Sequence, residues 1–422
     1  MRRFLTILLC SFVFSANAAF DDFFMNKSLR FDYFHTGNDK EDIFSFDELI
    51  EEPYWGGPTT QLLDPFDYGE YKFTVTDVSS GSIIYSHHYS SLFAEWQTTA
   101  EAKKTWKSFS ETITFPFPKS IVNIDFYKRN WDGNWEKKFE YQVDPKNYFI
   151  SKEKKTPFPA IKIHYSGEPS SKLDIVIIPD GYTTEEMGKF EKDCQRFAGY
   201  LLKCRPYNKN TDKINIWAVK APSLESGTDI PGANIWKQTI SNSSFYTFDS
   251  ERYLTTSDNK SLHNLAANAP YDQIFLLVNT EKYGGGGIYN FYSVCSSDNK
   301  YSNFVFIHEF GHAFAGLADE YYDSEVSYQD FYNLKIEPWE PNLTTLVNFN
   351  SKWKNRLDKN TPIPTPDNEQ YKNTLGVFEG GGYVAKGVYR PVIDCSMKST
   401  IYDDFCPVCS DAIQRMIDFY AQ

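Results

Sequence analysis

Two of the chain's seven histidines, His308 and His312, stand four residues apart, with Glu309 directly after the first. On a helix, residues i and i+4 leave the same face one turn apart, so both imidazoles can reach one zinc ion at about 2.0–2.1 Å. Glu309 then lies beside the metal rather than on it. From there a carboxylate can take a proton from zinc-bound water and pass it to a leaving amine. The stretch is predicted helical: Ser302 or Asn303 can cap it, no proline interrupts it, and Gly316 is placed to end it. A hydrolytic zinc needs a third protein ligand and one open position. A chain that reverses at Gly316 can return a carboxylate to the metal. Asp319 is the candidate, Glu320 the alternative, and Tyr321 or Tyr322 could serve as supporting or oxyanion donors.

The elements that must hold these residues divide into two patterns. From about Leu29 to Val143, short β-like runs alternate with turn residues, among them Tyr71–Val78, Ser82–His87, Thr112–Phe117, Ile121–Lys128 and Trp135–Val143. The last two flank a hairpin signal, Asn130-Trp131-Asp132-Gly133-Asn134. Such a series predicts an all-β sandwich over residues 19–145, with no gathering of catalytic side chains, and with His87 and His88 on opposite strand faces as surface residues. Residues 146–160, polar and carrying Pro157 and Pro159, read as a linker. Beyond it, apolar strands (Leu173–Ile178, Ile214–Ala221, Gln273–Val278) alternate with helices, one from about Glu185 to Cys204 with Thr184 as its cap. That alternation predicts an α/β layered domain over 161–422.

Residues 1–18 have the anatomy of an export signal: Arg2 and Arg3, a mainly apolar Phe4 to Phe14, and Ala16-Asn17-Ala18 as a cleavage site. Cleavage after about Ala18 would leave 41 basic side chains (43 less two) against 56 acidic ones. That balance speaks against nucleic acid and against an anionic membrane surface. No stretch approaches the ~20 apolar residues of a spanning helix. Six cysteines would remain: Cys194, Cys204, Cys295, Cys395, Cys406 and Cys409. They are too sparse to be a framework, they allow 15 pairings, and they read as local staples. Cys406-Pro407-Val408-Cys409 lacks the surroundings of a redox motif and, as a lone pair, the other ligands of a structural zinc site. A structural role is expected for it, with Cys395 bonding one of the two.

At these residues the chain resembles the metzincin group, and within it the IgA-peptidase family of zinc metallopeptidases. The resemblance rests on Leu173 to Thr183, His308 to Tyr321, Glu379 to Pro391, and Asp394-Cys395-Ser396-Met397 with Phe405 to Cys409. It implies a metzincin-like catalytic domain built on a twisted mixed sheet with an active-site helix, preceded by an accessory β domain. Met397 matches the methionine turn that lies beneath a metzincin metal. The usual third metzincin ligand falls ten residues after the first histidine, where this chain has Ala318; here the acid is displaced by one, to Asp319. The resemblance also implies that Gly285, Gly286 and Gly287 lie at the upper edge of the cleft, where a substrate could pair in extended form. Tyr389 and Arg390 are implied as substrate contacts.

Together these readings predict an exported endopeptidase that holds one zinc ion per chain and hydrolyses protein or glycoprotein. Two rivals stand beside it. One is a degenerate, inactive relative that binds glycan or glycoprotein; the other is a zinc amidase acting on cell-wall peptides.

Overall fold

Alternating side chains need a sheet with one buried face, and the amino-terminal third builds two. The computed structural model describes residues 20–153, 157–322, 332–400 and 404–421; the signal-like segment lies outside the described residues. After one turn of helix, α1 (Phe20–Phe23), β1 (Phe24–Gly37) pairs with β2 (Asp42–Glu52) on one side and β5 (Lys107–Pro118) on the other. β3 (Tyr71–Asp77), β4 (Ile83–Tyr89), β6 (Val122–Arg129) and β7 (Trp135–Val143) form a second antiparallel sheet in the order β4-β3-β6-β7. Aromatic side chains join the two: Phe31 to Phe126 at 5.4 Å, Tyr33 to Phe126 at 5.2 Å and Phe73 to Phe115 at 6.2 Å between centroids. Each such pair adds about 0.5–1.5 kcal/mol beyond the area it buries. His87 and His88 depart from the surface expectation. Their Nδ1 atoms lie 3.8 and 3.1 Å from Asp64 Oδ2, and the latter ring is buried. The short helix α2 (Leu92–Gln97), capped by Ser91, connects β4 to β5.

The carboxy-terminal part is a six-stranded mixed sheet with helices on both faces. Its strands are β8 (Ala160–His164), β9 (Leu173–Asp180), β10 (Ile214–Val219), β13 (Gln273–Val278), β14 (Gly285–Ile288) and β15 (Tyr292–Ser296). The order is β14-β15-β13-β9-β10-β8; the four inner strands are parallel and both edges antiparallel. Residues of β9 and β13 are buried throughout, which is why these runs carry no polar alternation. Two ribbons complete it: β11 (Ser243–Ser244) with β12 (Thr255–Thr256), and β16 (Phe378–Gly381) with β17 (Val384–Arg390). Helices α3 (Met187–Leu201), α5 (Ser302–Ala315) and α6 (Pro407–Tyr420) share one core, while α4 (Asn259–Ala266) covers the other face. The start of α3 lies elsewhere than expected. Thr183, not Thr184, makes a capping box with Glu186, and a short 3₁₀ turn leads into the helix. No described helix is long and apolar enough to cross a membrane.

The domains are bonded directly. Arg30 Nη1 donates to Asn264 Oδ1 at 2.8 Å, Tyr271 Oη to Glu52 Oε2 at 3.0 Å, and Asn290 Nδ2 to the His88 carbonyl at 2.9 Å. No disulfide joins any of the six described cysteines. The expected staples are absent, and the Cys395 and Cys409 sulfurs lie 3.9 Å apart, against about 2.05 Å in a disulfide.

Candidate metal centre

Helix α5 carries the histidine pair along the edge of the sheet. No side chain caps its first turn; Ser302 instead donates its hydroxyl to the Ser296 carbonyl at 2.6 Å. Its end is set by Gly316, which adopts φ 60° and donates its N–H to the His312 carbonyl at 3.0 Å. That left-handed position costs glycine no steric penalty. The chain then reverses. Asn342 fixes the reversal: its Oδ1 accepts from the Ala318 amide at 2.8 Å and its Nδ2 donates to the Ala318 carbonyl at 2.9 Å.

The reversal brings Asp319 Oδ1 to 3.1 Å from His308 Nε2 and 3.3 Å from His312 Nε2, and the two nitrogens are themselves 3.1 Å apart. A tetrahedral ion with ligands at about 2.05 Å has ligand–ligand edges of ~3.3 Å. The triangle has that size. The outward atoms are all occupied. His308 Nδ1 lies 2.8 Å from the Ser396 carbonyl and His312 Nδ1 2.5 Å from the Leu317 carbonyl. A carbonyl can only accept, so each Nδ1 holds the proton and each Nε2 presents a lone pair inward. Asp319 Oδ2 accepts from the Tyr383 hydroxyl, while Asp319 Oδ1 has no hydrogen-bond donor. The Glu309 carboxylate stands outside the triangle, within 4.8 Å of both imidazole nitrogens.

Burial raises the Glu309 carboxyl's pKa, and the two imidazoles offset only part of that rise. For Asp319, burial is outweighed by His312 and His308, which hold it well below the usual carboxylate range. Both imidazoles move the other way: burial disfavours their charged form, but Asp319 outweighs it, pushing His312 up to about 9 and raising His308 as well. The field between the rings therefore favours positive charge.

Beneath the pair lies Met397, fully buried; a Cβ placed on Gly311 would come within 3.0 Å of its sulfur. Glycine is also required opposite the helix. A Cβ on Gly287 would meet the Glu309 carbonyl oxygen at 2.1 Å, and one on Gly285 the Glu309 side chain at 3.0 Å. Gly285, Gly286 and Gly287 all line the cleft, yet the outer edge of β14 is partly taken. The Gly285 N–H donates to the Arg252 carbonyl at 3.4 Å and its carbonyl accepts from Leu254 at 3.3 Å.

Several expected residues go elsewhere. Glu320, the alternative ligand, faces away from the imidazoles and is bonded by Asn342 Nδ2 at 3.1 Å and the Cys409 thiol at 3.2 Å. Tyr389 pairs through its backbone with Thr344 and does not line the cleft. Arg390 is fully buried and donates to the Glu379 and Gly380 carbonyls, so it cannot meet a substrate. Tyr322 packs against Gly380. Tyr321 does reach the cleft, its hydroxyl 3.3 Å from that of Tyr383. No local sequence pattern marks Tyr383 or Asn342 as part of the centre.

The cleft over the centre has a volume of about 2360 Å³ and is walled by both domains, with Glu70, Glu95, Arg129 and Trp131 from the β-rich one. The β-rich domain thus contributes to the cleft wall, where the Glu95 carboxylate accepts from the Tyr253 hydroxyl. A family model described as IgA Peptidase M64 matches residues 161–373 and 367–417, and a model described as Peptidase M64 N-terminus matches residues 19–140. The chain belongs to the IgA peptidase M64 family. It is therefore a metallopeptidase, and its substrate is protein. Among proteins of curated function, none matches the M64 chain.

Proposed function

We propose that this M64 peptidase is a zinc-dependent endopeptidase whose ion is held by His308, His312 and Asp319, with Glu309 as general base. The observation that carries the reading is the closed triangle of two Nε2 atoms and Asp319 Oδ1, 3.1–3.3 Å on each edge, with every outward atom hydrogen-bonded. The donor set suits zinc, and three protein ligands leave one position open. When bound, the ion supplies Lewis acidity toward the scissile carbonyl and lowers the pKa of water toward ~7. Glu309 accepts the proton of the attacking water on its carboxylate and returns it to the leaving nitrogen; its burial, which raises its proton affinity, suits both tasks. Tyr383 holds Asp319 in place, and Tyr321 offers a hydroxyl on the cleft wall. The long cleft, shared by two domains, suits a polypeptide rather than a short cell-wall peptide. The signal-like residues 1–18 support export.

The test is incubation with a proteome-derived peptide library, with and without a chelator, beside a peptidoglycan digest. Cleavage within peptides that is lost on chelation and restored by zinc is the expected result. Absence of cleavage favours the inactive relative, and release from peptidoglycan alone favours the amidase.

A further inference from the structure

Beside the histidine centre lies a second cluster of metal-ligating side chains, formed by Glu320, Cys395, Cys406 and Cys409, whose ligand atoms all lie within 4.8 Å of one another. We infer that these four residues form a closed, structural zinc site of three thiolates and one carboxylate, distinct from the hydrolytic centre.

The spacing matches the ion. With Zn–S at about 2.3 Å, a tetrahedral site has sulfur–sulfur edges of ~3.8 Å and sulfur–oxygen edges of ~3.5 Å. The Cys395 and Cys409 sulfurs are 3.9 Å apart, and Cys409 Sγ lies 3.2 Å from Glu320 Oε1. Two backbone amides already point at the sulfurs: the Cys406 N–H at Cys395 Sγ (3.3 Å), and the Cys409 N–H, in the first turn of α6, at Cys406 Sγ (3.5 Å). Such donors stabilise thiolate over thiol.

The carboxylate is the second observation. Glu320 is fully buried, and its Oε2 has no hydrogen-bond partner although polar atoms are expected to be paired at that depth. A disulfide between any two of the cysteines would leave the third thiol and this carboxylate uncompensated; a divalent cation engages all four. Thiolate-rich, fully protein-bound sites select zinc in its structural role, with no position left for water.

The ion would clamp three segments that also shape the hydrolytic centre. Glu320 follows Asp319 in the chain, and its N–H donates to the Met397 carbonyl at 2.7 Å. Cys395 precedes Ser396, whose carbonyl orients His308. Cys406 caps α6, which packs against α5.

Metal analysis of the whole chain, purified without chelator, tests this separately from the proposed function. Two zinc ions per chain are expected in wild type, and one in the H308A/H312A variant. X-ray absorption on that variant should give a sulfur-dominated shell with Zn–S near ~2.3 Å. C406S/C409S should also lose one ion and unfold at lower temperature; if it does not fold, the histidine variant still decides. A histidine variant that holds no zinc, or a disulfide among Cys395, Cys406 and Cys409 in non-reducing peptide maps, overturns the inference. A wild type with one sulfur-bound zinc that survives H308A/H312A upholds it while removing the ion from the histidine centre.

Discussion

Glu309→Gln keeps the shape of the side chain but removes its ability to take a proton. The expected outcome is a fall in kcat/KM of about 10²- to 10⁴-fold, with zinc content and melting temperature unchanged; equal turnover by the two proteins would remove Glu309 from its assigned role. Tyr383→Phe takes away the donor to Asp319 Oδ2, and losses of this kind weaken metal binding by about 10–100-fold. Competition with a chelator of known affinity measures it, and Tyr389→Phe, outside the cleft, should match wild type. His308, Glu309 and His312 were legible in the sequence because one helix turn sets their spacing. Tyr383 stands 64 residues from Asp319, so only the folded loop brings it near.

At the scale of elements, glycines mark where backbone comes close. Gly287→Ala would place a methyl 2.1 Å from the Glu309 carbonyl oxygen, forcing β14 and α5 apart. Loss of peptidase activity with a lowered melting temperature is expected, whereas Gly188→Ala, with open space around it, should be neutral or mildly stabilising. Gly316→Ala must hold an L-residue at φ 60° and bring its Cβ to 2.9 Å from Trp339. Urea unfolding should show a cost of at least ~1 kcal/mol. Apolar runs and turn signals made most strands readable. The cap lies at Thr183, on the 3₁₀ turn that leads into α3, and not at Thr184: the two are equivalent as sequence, and only the Glu186 side chain reaching back distinguishes them.

At the scale of the molecule, the interface between the domains should be sensitive to acid. His263 is buried there, its Nδ1 3.2 Å from the Tyr271 hydroxyl; burial first, and the charge of Arg30 second, hold its pKa well below 6.5. The unfolded chain takes up a proton below ~6.5 that the folded chain refuses, so stability present above that pH is lost as pH falls, by up to ~1.4 kcal/mol per unit. Glu52, pushed up to about 7 by burial, works with the opposite sign. The readout is therefore the difference between wild type and His263→Gln in urea titrations from pH ~5 to ~7, where the variant should show the shallower acid loss. Identical slopes would contradict the burial of His263.

By itself the sequence determined what is local: the helix with its two imidazoles, the acid after the glycine turn, the division into a β-rich and an α/β part. These follow from periodicities of two and 3.6 residues and from turn chemistry, which act over a few positions. Only the tertiary structure decided which acid meets the histidines, that Glu320 turns instead to three thiols, and that the β-rich domain walls the cleft. Those outcomes depend on loop closure over tens to hundreds of residues and on competition for buried space, which no short window of sequence records.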